Sequence, residues 1–143
     1  MSYESQSRTL TSPRFTQLLA PWGLGILTIV VLLVATALFS WEVVEGGEPD
    51  LRQTLGGVVL LVHLPAVLSY AVGTWVAGAV HRAPSKDHGR RHLAALLVPA
   101  AAVQLFAFLS ALPGPSLIGV LIALVDLFVG CALGYGLDRL RRR

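Results

Sequence analysis

Charge is what this sequence withholds from most of its length. Four stretches, roughly Trp22–Trp41, Thr54–Val80, Leu93–Leu112 and Ser116–Leu137, hold one Asp, Glu, Lys or Arg between them, Asp126. As a helix rising ~1.5 Å per residue, each is long enough to cross ~30 Å of hydrocarbon. Over the whole chain 13% of residues are charged and 55% are apolar, so no separate soluble domain fits beside the runs. Cysteine is nearly absent: Cys131 alone, inside the fourth run, excludes an intrachain disulfide and any CxxC metal or redox site. Lysine is nearly absent too, with Lys86 against ten arginines, a bias that points to a high-GC bacterium and its inner membrane.

The sequence also lacks the patterns of catalysis. There is no GxSxG, no HExxH, no Walker loop and no paired carboxylates. The acids Glu42, Glu45, Glu48 and Asp50 lack the histidines and arginines of a headgroup-level site, so no enzyme is expected. A membrane haem needs two facing imidazoles, and only His63 lies within a run. His81, His88 and His92 sit among Arg82, Lys86, Arg90 and Arg91, whose charge repels a metal ion. Neither metal nor cofactor is expected. A net charge of +3 invites a nucleic-acid reading, but the positive residues are confined to segments flanking the runs, as membrane topology demands. No nucleic-acid partner is expected.

What the sequence does contain is a topology. The N-terminal tail carries Arg8 and Arg14 against Glu4. The first loop carries four acids against Arg52, and the second carries Arg82, Lys86, Arg90 and Arg91 against Asp87. The C-terminal tail holds Arg139, Arg141, Arg142 and Arg143. Lysine and arginine resist translocation, so an in–out–in–out–in path satisfies every segment. The expectation is an all-α, four-span antiparallel bundle with both termini in the cytoplasm. Its parts are a tail over residues 1–21, a membrane domain over 22–137 and a basic tail over 138–143. The first run reads as a retained span and not a cleaved signal: beyond the small residues Ala35-Thr36-Ala37 it continues through Leu38 and Phe39 to Trp41. Ser12-Pro13 signals a helix start, either of a brief interfacial helix before Pro21 or of the span itself. The basic residues of the second loop and tail suit anionic headgroups.

Small residues mark packing faces, because in lipid the helices associate where backbones can approach closely. The fourth run offers Gly119, Ala123, Gly130 and Gly134, and the second offers Ser69, Gly73 and Ala77. Pro65 removes a backbone donor from the second helix, which predicts a kink and a free carbonyl near Leu61. Pro99 does the same near Ala95. Asp126 shares the small-residue face of its helix, so it points at protein and not at lipid. His63 and Gln104 fall on inward faces at similar depth. The three form an expected intramembrane polar cluster, able to fix helix register or to carry a proton.

The reading that follows is a small non-enzymatic subunit or accessory protein, in contact with lipid and with other membrane subunits or copies of itself. The alternative is an oligomeric, proton-coupled transporter or channel using Asp126 and His63. The topology is testable with single cysteines. In intact cells a membrane-impermeant thiol reagent is expected to label a cysteine at Gly47 and not one at Ser85; the reverse pattern overturns the orientation.

Overall fold

Backbone polar groups in hydrocarbon must be satisfied within the chain, and long helices do this locally. The computed structural model describes residues 16–46, 54–81, 89–111, 114 and 116–143, and among them it contains helices and no strand. The Ser12-Pro13 start, the loop positions Gly47, Glu48 and Asp50, and Arg82, Lys86, Ser85 and His88 lie outside the described residues. The helices are α1 (Thr16–Gly46), α2 (Leu55–Val80), α3 (Gly89–Ser110) and α4 (Leu117–Arg141). All four are long and apolar enough to span a membrane.

Each end and irregularity has a local cause. Pro21 lies inside α1, five residues after its described start, with its ring buried, and the helix runs through it from Thr16. Thr54 caps α2, its hydroxyl accepting from the Gly57 N–H at 3.1 Å, and Ser116 caps α4 in the same way on Gly119. The expected disturbance at Pro65 takes the form of a π turn over Val59–His63, in which the Leu64 N–H reaches back to the Val59 carbonyl. The Leu61 carbonyl that Pro65 cannot serve accepts instead from the Ser40 hydroxyl of α1, at 3.0 Å. On α3 the neighbouring carbonyl to the one expected is engaged: Trp22 Nε1 donates to Ala94 at 3.2 Å.

Helix α2 packs against each of the other three. On its α1 side, a Cβ added to Gly73 would collide with Ile29, and one added to Gly25 would meet Pro99 at 2.9 Å and Ala77 at 3.1 Å. On its α4 side, a Cβ at Gly130 would lie 2.6 Å from Tyr70 Cβ and 2.7 Å from the Val67 carbonyl. The core these approaches close is Ile29, Tyr70, Ala100, Val103 and Cys131. Ser69 and Ala77 are buried, the former donating to the Pro65 carbonyl at 2.8 Å. Ala123 is half-buried, and Gly119 is exposed, an added Cβ there meeting only the Ser116 hydroxyl of its own cap. Gly119 therefore serves the helix start and not a helix–helix contact. Leu38, Phe39, Phe106, Leu109, Ile118 and Phe128 face outward, as a hydrocarbon solvent requires.

Two glycines of α4 separate packing from propensity. A Cβ on Gly134 would meet the Ala71 carbonyl at 2.5 Å, whereas one on Gly136 meets nothing within 4 Å. Gly134→Ala is expected to destabilise the fold by about 1–3 kcal/mol through overpacking against backbone, and Gly136→Ala to leave it unchanged or slightly firmer. Thermal or denaturant unfolding in detergent measures both; equal stabilities would refute the close approach of α2 and α4.

Candidate functional site

The π turn ends on His63 and aims it across the α2–α4 interface. His63 Nδ1 lies 2.7 Å from Asp126 Oδ2, a hydrogen bond holding one proton between an imidazole and a carboxyl group. Their side chains are 26% and 13% exposed, so the pair is screened but not sealed. Gln104, the third expected member, lies beside them on α3. Its direct partner is Tyr70, whose hydroxyl donates to Gln104 Oε1 at 2.7 Å in a buried bond.

These four side chains edge a half-open groove of about 320 Å³ between α2, α3 and α4. Its remaining walls are Val62, Ala66, Gly119, Ile122 and Ala123. Among the described residues no buried side-chain nitrogen or oxygen is left without a partner. Among the described residues neither Asp126 Oδ1 nor His63 Nε2 has a hydrogen-bond partner, so neither is fully buried, and both residues line the groove. Two further grooves, of about 330 and 380 Å³, flank the Ser40–Leu61 bond between α1 and α2, and none of the residues lining them is titratable.

A second charged cluster stands where α2 ends, α3 begins and α4 ends. Asp138, 3% exposed, accepts from His92 Nε2 at 2.8 Å and from Arg142 Nε at 3.0 Å. Arg142 Nη2 donates to His92 Nδ1 at 3.1 Å. A guanidinium can only donate, so Nδ1 is the bare nitrogen and Nε2 carries the proton. His81, buried, stacks on His92 with ring centroids 5.6 Å apart. Arg142 is thus engaged inside the chain, while Arg139, Arg141 and Arg143 are exposed, as is Arg90; Arg91 is half-buried.

Sequence reasoning brought out Asp126, His63 and Gln104 but passed over Tyr70 as a polar partner and Asp138 as more than a tail charge. Both signals were present. Tyr70 follows His63 by seven residues, hence on the same helical face, and Asp126, Gly130, Gly134 and Asp138 form a single ridge of four-residue steps. Comparison with protein-family models, curated proteins and solved structures finds no match.

The strength of the half-buried His63–Asp126 pair is measurable by a double-mutant cycle. With His63→Ala and Asp126→Leu, unfolding in detergent is expected to give a coupling of about 0.6–1.7 kcal/mol, the range for hydrogen bonds between membrane helices. Coupling indistinguishable from zero would mean that the two side chains do not act on one another.

Proposed function

We propose that this chain is a non-enzymatic, multi-pass protein of a bacterial plasma membrane, serving as a subunit or accessory component of a larger membrane complex. Its helices form an antiparallel bundle with both termini and the 81–92 loop in the cytoplasm. Residue pairing supports that arrangement: Ile29 with Gly73 and Ser40 with Leu61 run in opposite chain sense, as do Tyr70 with Gln104 and Gly78 with Leu96. The acidic first loop and the basic second loop and tail supply the orientation. The exposed arginines at the basic end then meet anionic headgroups.

The observation that carries the subunit reading is a dry layer. Between the His63–Asp126 level and the Asp138 cluster, Ile29, Thr74, Ala77, Leu96 and Ala100 are all 0% exposed. The buried hydroxyls of α2 in that stretch are spent within the chain, Ser69 on the Pro65 carbonyl, Tyr70 on Gln104 and Thr74 on Cys131 Sγ at 3.6 Å. Among the described residues a single copy therefore shows no open polar path through this layer, and its intramembrane polar side chains bond within the chain, to one another or to backbone carbonyls. The second reading, proton-coupled transport by an oligomer, is favoured by the two groove-facing atoms of the His63–Asp126 pair.

Purification from native membranes in mild detergent, followed by reconstitution, separates the two. The expected outcome is a stoichiometric membrane partner that co-purifies, and no dissipation of a pH gradient by the isolated chain in liposomes. A homo-oligomer that dissipates the gradient, and stops doing so on Asp126→Asn, would overturn the subunit reading.

A further inference from the structure

We propose that the groove beside His63 and Asp126 is a binding site for a small organic ammonium ion with an apolar body, reached from the surrounding lipid. This goes beyond the subunit reading and does not depend on it. The argument starts from charge. Asp126 is the only Asp, Glu, Lys or Arg in the four apolar runs, so no fixed cation of that set stands near it; the one adjacent titratable base is His63. The pair spends Asp126 Oδ2 and His63 Nδ1 on each other and, among the described residues, leaves Asp126 Oδ1 without a partner and accessible on a side chain that lines the groove. A carboxylate oxygen in a low-dielectric setting is a strong acceptor for a charged donor and a strong attractor for a quaternary nitrogen.

The walls select the rest of the ligand. Val62, Ala66, Ile122 and Ala123 are apolar, and the groove's volume of about 320 Å³ lies at the lower end of the range of small-molecule sites. Tyr70, almost fully buried, closes the inner side of the groove. Other occupants fit less well. A hard inorganic cation needs six or more oxygens, and the groove presents only a carboxylate oxygen with a neighbouring amide and phenol. An anion meets the carboxylate. A whole transmembrane helix, ~10 Å across, exceeds the space.

The test uses the full chain in lipid nanodiscs, titrated by calorimetry with benzyltrimethylammonium. The comparison ligand is neopentylbenzene, which has the same shape with carbon in place of the charged nitrogen, and empty nanodiscs supply the blank. The cation is expected to bind above the blank and more tightly than its neutral analogue. Asp126→Asn is expected to weaken cation binding about tenfold or more, the loss of one charge-assisted contact. Ala123→Leu, which fills the groove while leaving the His63–Asp126 pair intact, is expected to abolish it, and decides the matter should Asp126→Asn fail to fold. Cation binding no tighter than that of the neutral analogue overturns the proposal. So does wild-type affinity in either folded variant.

Discussion

The approach of α2 and α4 to near backbone contact is the constraint on which the rest of the molecule depends. In hydrocarbon no solvent drives apolar helices together, so contact must come from dispersion at short range and from polar groups with nowhere else to go. Gly130 and Gly134 let the Val67 and Ala71 carbonyls come within reach of α4. That approach brings Asp126 into hydrogen-bonding range of His63 and sets Asp138, on the same ridge, against Gly78 of α2, where His92 of α3 reaches it. A side chain at either glycine would push the two helices apart and strain the contacts on the same ridge.

The two acids then play different parts. Asp138 is held by two donors and is almost fully covered, tying the end of α4 to the start of α3. Asp126 is held by one and keeps an oxygen free. The difference follows from position: an acid at a helix end can recruit the arginine one turn later, whereas mid-span the only partner is a residue that another helix delivers. The π turn delivers it. Without the register shift that Pro65 provokes, His63 would sit elsewhere around the axis of α2.

Much of this was legible in the sequence. Apolar runs broken by charge gave the helices, because a spanning segment must be both long and uncharged. Proline at position 65 announced a free carbonyl near Leu61, since a missing donor has a fixed geometric consequence. The inward polar set of Asp126, His63 and Gln104 was readable from the small residues sharing their faces. What escaped was pairing. That Tyr70 and not His63 bonds Gln104 depends on helix rotations of a few tens of degrees, which periodicity does not resolve. Asp138 was hidden because a charged residue next to arginines resembles a solvated tail, and only the continuation of α4 to Arg141 reveals it as helical.

The partnership of α4 also bears on how the chain matures. Although α3 and α4 are neighbours in sequence, α4 packs chiefly on α2, laid down two helices earlier. During synthesis the first three helices can meet through Ile29, Gly25 and Pro99, yet His63 must wait for its acid and the glycine ridge for its groove. The α2–α4 seam therefore joins segments separated by a whole intervening helix, and until α4 is in place His63 has no acid to bond.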